Sequence, residues 1–291
     1  MTNHDELMSA KYTGKNIASI TDLVTQVKNI DINNLQQRIF AGNGKDEISL
    51  LAGTFNDMLD RLEEAFKTQK DFIANASHEL RTPLTAITGN LEVTLLKERT
   101  SEEYRQALVS TLEEVRNLNQ LTNRLLALLR TGTAITDTTF METRVDDVLW
   151  KARSDYLKTH PNHLVEISFD ESIQEENSFI LKGNPELLKI AFLNLIENGC
   201  KYTVQNKIMI RFSLHENSLF INFKDNGIGI PRDEITQVLQ PFYRAKNVKN
   251  KKGHGIGLSL ADRIISLHDG EIRINSILGK GTSIKILLPL G

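Results

Sequence analysis

The chain contains a single cysteine, Cys200, among its 291 residues. An internal disulfide is therefore impossible and a cysteine-rich metal site is excluded; the scarcity fits a reducing compartment, and the default role of Cys200 is that of a small buried apolar side chain. A charge surplus is missing too. With 35 basic against 37 acidic residues and a formal net charge of -2, nothing marks the chain as a nucleic-acid binder, and that partner class is set aside. No uninterrupted apolar run approaches the length of a membrane span, and the opening MTNHDELMSAKYTGKN lacks the apolar core of a signal peptide. The chain as given is expected to be soluble. What it does have is 40% hydrophobic residues, enough to fill the cores of two or three compact units.

The organisation falls into three stretches. Helical periodicity through Ile17, Ile20, Leu23, Val24, Val27 and Ile30 leads to a polar connector with Gly42 and Gly44, then to a second helix beginning near DEISLLAGTF. That helix carries a stripe from Phe55 through Leu59, Leu62, Phe66, Ile73, Ala76, Leu80, Leu84, Ile87 and Leu91 to Leu95, at spacings mostly of three and four. Pro83 removes a backbone donor and is expected to bend it locally. Thr100 to Glu103 fits a capping box opening a third helix, whose stripe runs from Leu108 through Leu112, Val115, Leu118, Leu121 and Leu125 to Leu128. Two long helices joined by a short turn make an antiparallel hairpin. One hairpin cannot cover both stripes, so a four-helix bundle built by two chains is expected.

After the small polar run Thr131 to Thr139 the pattern turns to mixed helix and strand. The sequence predicts a helix near Arg144 to Thr159, strands near Leu164 to Phe169 and Ser178 to Leu181, and a helix from Pro185 to about Tyr202. Two strand pairs follow, turning at Glu216-Asn217 and around Gly279 to Gly281. Strands arriving in pairs favour an antiparallel or mixed sheet with helices on one face and argue against a doubly wound parallel fold.

Chemistry-bearing residues sit in both halves. In FIANASHELRTPL, His78 lies off the apolar stripe, followed by Glu79 and, one helical turn on, by Thr82. An exposed imidazole beside a carboxylate suits nucleophilic chemistry, though a solvated surface pair would read the same way. Asn194 and Asn198 project from one helical face ahead of Lys201 and Tyr202; their amide oxygens could serve a hard cation that borrows its other ligands from phosphate, or could simply bond local backbone. Asp225-Asn226-Gly227-Ile228-Gly229-Ile230 ends a strand with an acid able to accept from an amino group, and its glycines allow close backbone approach. Gly253-His254-Gly255-Ile256-Gly257-Leu258 opens an apolar helix after a basic loop of Arg244, Lys246, Lys249, Lys251 and Lys252. Its first amides offer a phosphate site, but the glycine spacing and the absence of a preceding strand rule out a dinucleotide fingerprint.

Together these segments resemble the sensor histidine kinases over nearly the whole chain. FIANASHELRTPL is similar to the family's H box, NLIENGCKYT to its N box, DNGIGI and GHGIGL to its main glycine boxes, PFYRA to its F box and GKGTS, with Thr282, to its last glycine box. KDEISLLAGTFNDML is similar to a HAMP signal-relay module, although KNIASITDL lacks the proline usual near the start of its first helix. Gly199 and Cys200 replace commoner N-box residues, and His254 stands where a small polar residue is frequent. The resemblance implies a polar tail (residues 1–16), a HAMP-like module (17–66), a dimerisation and phosphotransfer region (67–132), a linker (133–139) and an ATP-binding domain (140–291). The implied fold is multidomain: an all-α hairpin forming a dimeric four-helix bundle, followed by an α+β two-layer sandwich of the GHKL (Bergerat) type.

The resemblance implies an ATP- and magnesium-dependent autokinase that serves a response regulator and also dephosphorylates it. His78 would be the nucleophile, Glu79 its base, and Thr82 would place water for the phosphatase reaction. Asn198 would hold magnesium; Asn194, Lys201 and Tyr202 would support nucleotide, Asp225 would read the adenine amino group, and Gly227, Gly229, Gly255, Gly257 and Leu258 would frame the pocket and lid. Arg244 and the lysines after it are phosphate-contact candidates. Implied partners are a second copy of the chain and a receiver domain, with a membrane reached through a span absent from this chain, on the cytoplasmic side of a bacterial inner membrane. Two rival classes, a gyrase- or chaperone-like clamp ATPase and a non-enzymatic ATP-binding scaffold, are disfavoured by the His78 box with its hairpin and by the intact His78, Glu79, Asn198 and Asp225.

Overall fold

The computed structural model describes residues 20–32, 34–40, 47–130, 139–171, 173, 179–203, 205–248, 251 and 253–290. Expectations resting on the tail 1–16, on Ile17, Gly42, Gly44, Ser178, Lys249 and Lys252, and on most of the linker lie outside them. The chain forms two compact units, one ending at Asn75 and the other starting at Ala76.

In the first unit, helix α1 (residues 20–28) and the opening turns of α2 (Glu47–Leu95) enclose a core of Leu23, Leu35, Ile39, Ala52 and Leu59, with Phe55 and Phe66 packed against it. The extended connector has no strand to satisfy its backbone, so side-chain amides do so. Gln26 accepts from the Phe40 N–H at 2.9 Å and donates to its carbonyl at 3.2 Å. Asn56 does the same for Ile39, at 2.9 and 3.1 Å. Arg38 adds ion pairs to Asp60 and Glu63 of α2, each at 2.6 Å.

The second unit takes up α2 at Ala76. The helix runs unbroken through Pro83, and Arg99 caps its end by donating to the carbonyls of Val93 and Thr94. The capping box forms: the Thr100 N–H donates to Glu103 at 2.8 Å and the Glu103 N–H returns to the Thr100 hydroxyl at 3.3 Å, opening α3 (Ser101–Arg130). Across the hairpin the Asn90 amide donates to Thr111 Oγ1 at 3.2 Å. The α3 stripe divides: Leu121, Leu125 and Leu128 are buried, whereas Leu108 and Leu112 are exposed.

A helix layer then covers one face of a mixed sheet. Strands β2 (Leu164–Phe169), β4 (Lys207–His215), β5 (Ser218–Asp225), β6 (Glu271–Ile277) and β7 (Gly281–Pro289) lie in the order β2-β4-β5-β7-β6. Only β2 and β4 pair in parallel. Helix α5 (Pro185–Lys201) packs on β4 and β5 and α6 (Gly257–Leu267) on β6, with α4 (Val145–Thr159) against α5; Ile208, Ile210, Phe212, Ile221 and Phe223 of the sheet are buried. This is the expected two-layer α+β sandwich. The sequence reading departs from it in one place. Met141–Arg144 is a short strand, β1, and it pairs antiparallel with β3 (Ile180–Gly183), which starts two residues later than predicted. Pairing of two four-residue strands some forty positions apart has no local signature.

Candidate functional site

Three elements meet around one cleft: the carboxyl-terminal half of α5, the end of β5 with the loop after it, and the glycine-rich start of α6. Asn184 caps α5, its side chain accepting from the Leu187 N–H at 2.9 Å ahead of Pro185 in the first turn. The helix then carries Asn194, Asn198 and Lys201 to the cleft wall. The cleft is an open concavity with apolar walls and a few converging polar side chains, the make-up of a small-ligand site.

Asp225 ends β5 at the cleft. Its Oδ1 accepts from the N–H groups of Gly227 at 2.7 Å and Thr282 at 3.2 Å, while Oδ2 has no donor among the described residues. Burial pushes this carboxyl above its ordinary range, and the two N–H donors pull it back. The carboxylate is thus fixed by one oxygen and left an acceptor for an outside donor with the other. Gly227 does not line the cleft; a β-carbon there would lie 2.4 Å from the Tyr202 carbonyl, so the close approach of loop to helix end requires glycine. Gly229 does line it, as do Leu258 and Thr282, whose hydroxyl shares a 2.9 Å hydrogen bond with Ser276.

Asn194 and Asn198 behave differently. Asn194 is buried and donates to the Ile190 carbonyl at 2.8 Å, with its oxygen against Gly257, where a β-carbon would come within 2.9 Å of it. That is mostly the local backbone role. The half-buried Asn198 amide makes no hydrogen bond to the described residues. Among those residues no group of three His, Cys, Asp or Glu side chains could cage a metal. A neutral amide oxygen with no competing partner fits magnesium, which keeps most of its shell as water and phosphate oxygens.

Lys201 lies 5.2 Å from the Tyr202 ring centroid, and burial depresses its ammonium below the ordinary lysine range, with Arg244, Arg124 and Lys251 adding to the effect. Tyr202 packs against Val238, Ala245 and Val248, and burial raises its phenol. Arg244 is only partly free for a phosphate: its guanidinium donates to the carbonyls of Val248 at 3.0 Å and of Lys251, bracing the loop ahead of α6. Gly255 in that loop has φ +71°, and its carbonyl accepts from the Phe242 N–H at 2.8 Å.

His78, Glu79 and Thr82 share α2, and none of them lines the cleft. His78 and Thr82 are exposed, and the Thr82 hydroxyl donates to the His78 carbonyl at 3.2 Å. Glu79 reaches the cleft indirectly, through a hydrogen bond to His254. Sequence reasoning passed over Arg124, Glu197 and Asn247, which line the cleft. Glu197 lies between the two asparagines and was legible as part of their motif. Arg124 reaches Glu197 from α3, a long-range pairing no local pattern announces.

The profile of the histidine kinase-, DNA gyrase B- and HSP90-like ATPases matches residues 183–291, that of the His Kinase A (phospho-acceptor) domain 68–133, and that of the HAMP domain 16–64. ArlS, a signal transduction histidine-protein kinase of Staphylococcus aureus, is 30% identical over 94% of this chain, which spans 60% of that relative's length. Among solved structures, the Acinetobacter baumannii histidine kinase AdeS aligns with a TM-score of 0.56 at 20% identity, covering 74% of this chain and 98% of that one. Full-length ShkA in complex with AMPPNP aligns with a TM-score of 0.53 at 20% identity, covering 75% of this chain and 45% of that one. At that identity the likeness speaks for the fold. With HAMP, phospho-acceptor and ATPase domains in that order, the chain belongs to the sensor histidine kinases.

Proposed function

We propose that the chain phosphorylates itself on His78 from ATP, passes the phosphoryl group to an aspartate on the receiver domain of a response regulator, and also removes it from that regulator. The observation that carries this reading is an exposed imidazole flanked by a carboxylate on α2, in the same compact unit as a cleft walled by Asp225, Asn198 and the glycine-rich start of α6. Residues 17–66 relay the signal, 67–132 dimerise and carry the phosphoryl group, and 140–291 bind ATP, with 133–139 as a linker. A second copy of the chain completes a four-helix bundle, and the region acts on the cytoplasmic side of a bacterial inner membrane. Among the described residues no helix is long and apolar enough to cross one.

In the cleft, Asp225 accepts from the adenine amino group, Asn194, Lys201 and Tyr202 support the nucleotide, and Gly229, Gly255, Gly257, Leu258 and Thr282 shape the wall, with Gly227 holding the floor. Asn198 would hold magnesium, which would neutralise phosphate charge. Arg244 steadies the lid and, where its donors allow, meets phosphate. His78 attacks the γ-phosphorus through one ring nitrogen; the bond to the β-phosphate oxygen breaks and ADP departs, while Glu79 takes the proton of the imidazole. Such a reaction depends mostly on alignment and charge neutralisation. Thr82 places the water that attacks the regulator's phosphoaspartate, whose P–O bond to the carboxylate breaks to release inorganic phosphate.

Incubation with γ-labelled ATP tests the reading. The chain should acquire acid-labile, alkali-stable phosphate, and His78→Gln should bind ATP with unchanged affinity yet take up no label. Histidine labelling that persists in this variant would sink the assignment of His78.

A further inference from the structure

Within the loop Gly253 to Leu258, His254 alone carries a side chain able to hydrogen-bond. Its Nδ1 lies 2.5 Å from Oε2 of Glu79, and the two side chains are 31% and 35% exposed. Glu79 is the residue next to His78, and no hydrogen bond joins its carboxylate to the His78 imidazole. The carboxylate beside the proposed nucleophile is thus engaged by an imidazole that lines the cleft. An ion pair, Arg124 with Glu197, joins α3 to α5 at the wall of the same cleft. Each of these two contacts runs through a side chain of the cleft wall, so a ligand that displaces His254 releases the group that holds Glu79.

Resting on the autokinase reading above, we infer that His254 is a positioning residue of the phosphoryl-transfer reaction, holding the Glu79 carboxylate against the loop Gly253 to Leu258 until that loop rearranges. The contact suits a reversible hold. An N–H to carboxylate hydrogen bond is stronger than a neutral one, yet in a half-exposed place its net effect is small enough to be undone by ligand. The hold needs only a donor at the position of Nδ1; an asparagine side chain offers one the same number of bonds from the backbone, and a phenylalanine offers none.

The experiment uses the full chain with His254→Phe and His254→Asn. In the nucleotide-free chain, trypsin cleavage after Lys246 and Lys251 should quicken in His254→Phe by about two- to fivefold, the equilibrium factor expected of such a pair, and return toward the parent rate in His254→Asn. At saturating ATP, autophosphorylation of His254→Phe should rise by a similar factor and return toward the parent rate in His254→Asn. A slower reaction in His254→Phe, or cleavage equal to the parent's, overturns the proposal. A parent chain that takes up no label defeats the autokinase reading instead, and the cleavage rates still decide whether His254 holds the lid.

Discussion

At the scale of single residues, the cleft turns on which polar atoms are already engaged. Asp225 has one oxygen held by two backbone donors and the other open to a ligand. Asp225→Asn keeps the shape but replaces a charged acceptor by an amide. Hydrogen bonds to charged groups contribute about 1.5 to 3 kcal/mol, so ATP affinity measured by calorimetry should fall roughly tenfold to a hundredfold. Unchanged affinity would show that Asp225 does not meet the base. Thr82 poses a sharper choice, since its hydroxyl already donates to the His78 carbonyl. Its oxygen lone pairs remain available to a water. Thr82→Ala should keep most autophosphorylation while slowing regulator dephosphorylation; equal losses in paired assays would mean that the hydroxyl serves only the helix next to Pro83.

At the scale of elements, the start of α5 depends on a neutral histidine from beyond the end of α6. His268 is buried, bonds the Ile264 carbonyl through Nδ1 at 2.7 Å, and accepts from the Asn184 N–H through Nε2 at 2.9 Å. Asn184 in turn caps the helix that carries the cleft asparagines. A proton on Nε2 would abolish the acceptor, and burial accordingly lowers the His268 pKa, partly offset by the Ile264 carbonyl and Asp269. Because the folded pKa lies below the unfolded value of about 6.5, the unfolded chain binds more protons and stability rises with pH. The stabilisation is complete above the unfolded pKa and is lost as pH falls below it. Denaturant unfolding of the parent should weaken from neutral to mildly acidic pH. His163, whose pKa burial also lowers, contributes in the same direction, so the comparison with His268→Gln isolates the His268 share. An identical pH slope in both proteins would remove His268 from the account.

At the scale of the whole molecule, a single copy leaves apolar surface uncovered. In the hairpin, Leu84, Leu108 and Leu112 are 50%, 64% and 48% exposed, while the other end of α3 is buried. Covering a leucine stabilises by about 1.5 to 3 kcal/mol, and the chain has a matching stripe in a second copy of itself. Leu112→Glu should shift sedimentation from dimer to monomer with ATP affinity unchanged, because Leu112 does not line the cleft. A variant that still sediments as a dimer would place the partner surface elsewhere.

What the sequence determined by itself was local. Periodicity marked the long helices, the capping box at Thr100 and Glu103 formed where it was predicted, Pro185 opened α5, and the turns at Glu216-Asn217 and Gly279 to Gly281 closed their hairpins. These features depend on residues a few positions apart, which the chain displays in order. The glycine clusters and paired asparagines likewise named part of the cleft wall, since each cluster is contiguous. Tertiary structure alone decided the pairing of β1 with β3, the parallel placement of β2 beside β4, the Arg124–Glu197 pair and the contact of His254 with Glu79. It also separated Asn194, turned to its own helix, from Asn198, left open to the cleft. Each of these joins groups far apart in the chain or selects among hydrogen-bond partners that the sequence offers equally, and only the packed fold brings one of them within reach.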